Sequence, residues 1–349
     1  MKKLVYSLLI LVLIGQISIA EKYEAFKEYN KNYSTTKQSA FSIDNKYGEI
    51  IIANWDKNEI SINLKITVKA KNQEKAEKIL SQIDANFGQI GDSVYAKTIF
   101  DKHFSLNDKV EFEIKYIVKA PANIAYWIIN KYGNIAINKI TGKLDLDLKY
   151  GNLLAKNLQF TKAQPLNKIE LAYSNANIHY CNYAKIDIKY GKLNIGNGKA
   201  LDIKAKYTDV DIIKLETLYF EGKYGGFELD TIHIVKIDAK YMNVDIQYLS
   251  YKLETEVKYG NLNINNVSPF FSKIDVEAAF GNIELLIHPD AVYKLYADVD
   301  YGSLDLPKKV NIERIVTKKG EETVGIVGPK GKEITGEINI EMDYGNVKL

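Results

Sequence analysis

Alternating carboxylates are the first residues in this chain that could do chemistry. Asp145 and Asp147, Asp209 and Asp211, and the trio Asp187, Asp238 and Asp245 each stand among Leu, Ile or Val. Two carboxyls a few ångströms apart can share general acid and base roles, as in glycoside cleavage, so a polysaccharide lyase or hydrolase is the enzymatic reading. Acidic residues alternating with aliphatic ones are also how any solvated strand face reads. Lysines recur close by at Lys149, Lys189, Lys206, Lys223, Lys240 and Lys258, and mixed charge of that kind keeps a sheet surface soluble. The expectation is therefore no catalytic residue.

Other chemistries find less support. His103, His179, His233 and His288 are scattered, with no histidine or cysteine at ligand spacing, so no metal is assigned. Neither an EF-hand loop nor a glycine-aspartate calcium nonapeptide occurs. A nucleophile elbow, a dinucleotide fingerprint and a phosphate loop are absent too, and no cofactor is expected. Cys181, the only cysteine, lies in an apolar-alternating stretch and reads as a small buried side chain. With 47 basic against 44 acidic residues, a formal charge of +3 and almost no arginine, the chain lacks the stripe that nucleic acid demands. What remains is surface. Tyr180, Tyr183, Tyr219, Tyr248 and Tyr251 lie off the repeat described next and are weak candidates for contacting a sugar or protein.

The elements that would position these residues announce themselves by repetition. Tyr-Gly or a variant occurs at Tyr132-Gly133, Tyr150-Gly151, Tyr190-Gly191, Tyr224-Gly225 and Tyr259-Gly260, with Tyr173-Ser174, Tyr207-Thr208, Tyr241-Met242, Phe280-Gly281 and Tyr301-Gly302 between and beyond them. From Tyr173 to Tyr241 the step is a constant ~17 residues, the sign of a stacked repeat architecture. Tyr47-Gly48 opens the series and Tyr344-Gly345 closes it. Inside a unit apolar and polar residues alternate, as in Leu144-Asp145-Leu146-Asp147-Leu148-Lys149; a period of two means strand with one buried face. The tyrosine falls in phase with the apolar residues, which predicts a ring turned inward or capping the corner, while the glycine is expected to supply the turn. Units this short cannot bury a face alone. The fold class is thus all-β, a β-solenoid resembling a parallel β-helix, with aromatic residues laddered in register. A sandwich of antiparallel strands is the alternative.

Four regions are expected. Residues 1–20 carry Lys2 and Lys3, an apolar run and Ser18-Ile19-Ala20, and read as a cleaved signal peptide. Residues 21–40 read as a flexible lead-in, and 41–125 as an α+β cap with a helix over 73–87 behind an Asn72 N-cap. Residues 126–349 hold the solenoid, with a glycine-rich loop excursion at 307–335. No later segment of the mature chain is long and apolar enough for a transmembrane helix. The expected location is exported, in the periplasm or at the cell surface.

Asn45-Lys46-Tyr47-Gly48-Glu49-Ile50, the following Asn54-Trp55-Asp56-Lys57-Asn58-Glu59-Ile60, Glu77-Lys78-Ile79-Leu80 and the serial Lys-Tyr-Gly corners resemble the "putative adhesin" domain family of Gram-negative bacteria. The likeness spans nearly the whole mature chain. It implies export and a repetitive solenoid-like fold, with no catalytic residues to carry over. The functional expectation is a noncatalytic envelope or surface protein, an adhesin or binding scaffold meeting a glycan or an envelope protein. The alternatives are the carbohydrate-active enzyme and an accessory to envelope signalling.

Overall fold

The computed structural model describes residues 22–105, 110–160, 167–307, 310–316 and 320–349; the expected leader lies outside them. The chain is nearly all β, with a single helix among the described residues, and its strands form one sheet that nearly closes on itself around a common apolar core.

The pairing follows the repeat. Leu144–Lys149 pairs in parallel with Ala125–Lys131 on one side and Asn167–Ala172 on the other, which places Leu146 beside Ile128 and Ile169. Ile169 then meets Ile186, and Ile186 meets Ile203. A second column runs through Ile137, Ala155, Ile178, Ile195 and Ile212. Residues of the first column are fully buried, and each contributes about 1.5–3 kcal/mol by leaving water. These strands pair in parallel, which hairpin connections between neighbours would not give.

Both ends depart from chain order. Ala40–Lys46 and Glu49–Asn54, which flank the Tyr47 corner, pair in parallel with Ala125–Lys131 and Ile135–Ile140, yet also with Ser93–Phe100 and Glu111–Ala120 on the opposite side. The first Tyr-Gly unit is therefore continuous with the repeats, and the segments on both sides of it in the chain fold over the open edge. Glu59–Ala70 lies antiparallel on Glu111–Ala120, and Tyr23–Ser34 lies antiparallel on Glu59–Ala70. That corrects the flexible lead-in to a twelve-residue edge strand. Its polarity misled because edge strands carry charge to discourage further pairing; beneath that polarity Ala25, Tyr29 and Tyr33 pack on the core, and Lys27 donates to the carbonyl of Ile83.

The helix forms behind its expected cap, Asn72 Oδ1 accepting the Lys75 N–H at 3.0 Å, but it spans Gln73–Ser81. The expected continuation to 87 instead becomes strand Ile83–Ile90, folded against Ser93–Phe100 through a turn at Gly91. Gly91, with φ of 57°, supplies the first residue of a two-residue hairpin loop, and Ser93–Phe100 gives the segment an antiparallel partner from Ile83 to Ile90.

At the other end the strand Gly336–Asp343 lies between Lys273–Ala279 and Tyr293–Asp300, parallel to both. The expected loop excursion at 307–335 contains strands Val310–Val316 and Gly320–Val327, and the latter covers Tyr293–Asp300 in antiparallel fashion. Two antiparallel additions thus close off the two ends of a parallel array.

Candidate functional site

Each repeat corner is built by a tyrosine in the left-handed region. From Tyr47 to Tyr344, Phe280 included, φ lies between 51° and 61° at every corner. Left-handed backbone costs an L-residue ~1–2 kcal/mol, and it turns the ring away from the core. In Leu146-Asp147-Leu148-Lys149-Tyr150 the leucines are buried, but the in-phase Tyr150 is 47% exposed. Of the two expected placements, inward or capping the corner, the inward one is excluded, and the ring lies outside the core at the corner. The following glycine does not supply the turn; it permits close approach. A Cβ on Gly151 would stand 2.0 Å from the Gly133 carbonyl oxygen, and one on Gly191 1.9 Å from that of Ser174.

Turned outward, the rings stack into one ladder in the order Tyr47, Tyr132, Tyr150, Tyr173, Tyr190, Tyr207, Tyr224, Tyr241, Tyr259, Phe280, Tyr344 and Tyr301. Successive centroids are 4.6–5.1 Å apart and planes diverge by 2–21°. The spacing matches neighbouring strands. Ring faces are spent on one another, which leaves ring edges and a row of hydroxyls toward solvent. Lysines border them: the ammoniums of Lys46, Lys206 and Lys223 stand 4.4, 5.5 and 5.2 Å from the centroids of Tyr47, Tyr207 and Tyr224.

Beside the rings runs a second ladder that the Tyr-Gly reading missed. Asn134 Oδ1 accepts the Asn152 N–H at 2.9 Å, Asn175 that of Lys192 at 3.0 Å, Asp209 that of Gly226 at 2.9 Å, Asn243 that of Asn261 at 3.0 Å and Asn261 that of Asn282 at 2.9 Å. The signal was present as a third corner residue, Asn or Asp after Tyr-Gly.

The carboxylates singled out by sequence do not gather at one place. Asp147, Asp187 and Asp238 pair with Lys149, Lys189 and Lys240 at 3.4–3.5 Å, and Asp245 accepts from Asn263. Asp211 alone enters a groove, of about 320 Å³, where Glu228, Asp230 and His179 join it around Gly196; its partner Lys192 lies 2.6 Å away. Among the described residues no cluster of His, Cys, Asp and Glu could hold a metal ion. His233 stacks on Tyr251 with centroids 4.9 Å apart, His103 meets Asp101 and His288 meets Asp290. Cys181 is fully buried, and burial pushes its thiol up to about 12, which leaves no thiolate for nucleophilic work.

The off-corner tyrosines are dispersed. Tyr219 and Tyr251 are exposed, whereas Tyr180, Tyr183 and Tyr248 are half-buried, and no ring contact joins any two of the five among the described residues. Tyr180 sits in register with Asn157 and Asn197, and Tyr183 takes a left-handed φ of 52° outside the ladder.

No family model matches the chain, and no curated protein matches it. Solved structures do. One is described as a putative cell adhesion protein from Clostridium sporogenes, 11% identical, with 93% of this chain and 98% of that one covered and a TM-score of 0.17. A protein described as a putative adhesin from Parabacteroides distasonis is 12% identical over 92% and 96%, with a TM-score of 0.32. Another so described, from Bacteroides fragilis, is 9% identical over 92% and 96%, with a TM-score of 0.31. The chain is similar to these proteins at low identity, and the family suggested by its motifs is not shown by a matching model.

Proposed function

We propose that the mature chain is a noncatalytic β-solenoid of the cell envelope or surface, which presents its tyrosine corner to a glycan or a protein. One observation carries this reading, the ladder's continuity through every repeat despite its backbone cost. A turn alone would be met by glycine, which adopts the left-handed region freely. At ~1–2 kcal/mol for each non-glycine corner, against ~0.5–1.5 kcal/mol for stacking, the fold gains little from tyrosine here, so the surface that tyrosine makes is the better account of its recurrence. Hydroxyls repeating at strand spacing, bordered by ammoniums, suit a polymer with repeating polar groups.

A second reading rests on the groove around Gly196, where Asp211, Glu228 and Asp230 lie together; it is the place for carbohydrate cleavage if there is any. The test is a glycan array and a polysaccharide depolymerisation screen on residues 21–349, with and without calcium. Binding without cleavage, weakened when Tyr173, Tyr190 and Tyr207 are all changed to glycine, is the expected result. Cleavage lost in Glu228→Gln or Asp230→Asn would move the assignment to the groove. Silence in both assays would remove the glycan and leave a protein partner, sought by crosslinking in envelope fractions.

A further inference from the structure

At the C-terminal end, away from the Gly196 groove, a cleft of about 1210 Å³ opens between the 286–293 turn, the end of strand Gly320–Val327 and the glycine-containing segment after it. It exceeds the roughly 300–1,000 Å³ usual for small-molecule sites. Leu286, Ile326 and Ile334 line it and are 43%, 42% and 39% exposed. Tyr293 forms part of its wall, 2% exposed, with a hydroxyl that has no hydrogen-bond partner.

The cationic side chains at this cleft are Lys330 and Lys332. His288, whose Nδ1 accepts the Asp290 N–H at 3.2 Å, and Leu349 line it too, and no acidic side chain does among the described residues. Nearby Asp290 is the counter-charge to Lys332, 2.8 Å away. Lys330 has no ion-pair partner among the described residues. An apolar cleft with one uncompensated cation complements an apolar tail with one negative charge. We propose that it binds a long-chain fatty acid, with its chain against Leu286, Ile326 and Ile334 and its carboxylate at Lys330. The site is independent of the ladder.

The test titrates residues 21–349 with a fluorescent polyene fatty acid and displaces it with palmitate or with the corresponding alcohol. Saturable binding is expected, with palmitate displacing the probe roughly two- to fivefold better than the alcohol, the share that an ion pair at an exposed lysine contributes. Lys330→Glu should remove that preference. The double change Ile326→Asp and Ile334→Asp, on side chains already exposed, should abolish binding while leaving the thermal melt unchanged. No saturable binding, equal displacement by acid and alcohol, or binding undiminished in either variant overturns the proposal.

Discussion

The ring of Tyr344 lies on that of Tyr301, centroids 4.6 Å and planes 5° apart, although Tyr301 comes first in the chain by a whole hairpin. The other face of Tyr344 meets Phe280 at 5.0 Å. The last corner of the sequence is therefore the next to last in space, because the strand Gly336–Asp343 enters between two strands made before it.

Removing residues 336–349 should unpair two edges at once and strip Ile338, Ile340, Met342 and Val347 from the core. Truncations of such side chains cost ~2–5 kcal/mol each, and freed edges invite association. The truncated chain is expected to melt far below the full one and to form oligomers in size-exclusion chromatography. A synthetic peptide of residues 336–349 should restore both properties. A truncated chain that stays monomeric and melts as the full one does would show that Tyr293–Asp300 re-pairs directly with Lys273–Ala279.

The corner tyrosines reverse an ordinary ranking. In a strand, glycine is worse than alanine by roughly 0.5–1 kcal/mol. At Tyr190, with φ of 56° and rings at 4.8 and 5.0 Å on either side, alanine loses the stacking and keeps the left-handed penalty, whereas glycine loses only the stacking. Tyr190→Gly should thus be the more stable of the two by ~1 kcal/mol, read from urea unfolding. The opposite order would refute the account of strain at the corner.

The residue after the tyrosine makes a different demand. A Cβ on Gly191 would sit 1.9 Å from the Ser174 carbonyl oxygen, while one on Gly226 would meet nothing closer than 3.4 Å, at Asp209. Gly191→Ala should therefore separate the two strands locally and cost on the order of 1–3 kcal/mol, as overpacking does. Gly226→Ala should be tolerated within ~0.5 kcal/mol. Parallel melts of the two variants decide it.

Much of this was legible. The constant step, the alternation and the Tyr-Gly pair led to β structure, parallel pairing and rings in register, because each is a local property repeated. The ring direction was not, since a period of two says nothing about a residue that leaves the β region, as Tyr150 does. Asn134, Asn152 and Asn175 were visible as the third corner residue, but their bonds to the next repeat's backbone depend on the stacking itself. The placement of Gly336–Asp343 had no signal, because chain order predicts neighbours and this strand breaks that order. The cleft gathers Leu286, Ile326 and Lys330 from separate segments, so no motif could announce it. The edge strand Tyr23–Ser34 hid behind its charges.

Four buried acids fix how the fold responds to alkali. Burial raises Cys181 from 9.0 and Tyr116 from 10.0 to about 12, and lifts Tyr126 and Tyr293 from 10.0 as well. A raised folded pKa means that the unfolded chain releases its proton first. These groups therefore favour the fold fully below about pH 9, and that contribution falls as pH climbs from there through 12, by up to ~1.4 kcal/mol per pH unit for each group. Urea unfolding at pH 8 and at pH 11 should show the loss. Tyr293→Phe isolates one share of it: its hydroxyl has no partner, so the change should leave stability at pH 8 equal or up to ~1 kcal/mol higher and make the alkaline decline shallower. A variant as steep as the parent would mean that the Tyr293 hydroxyl reaches solvent, and with it that this wall of the cleft is open in solution.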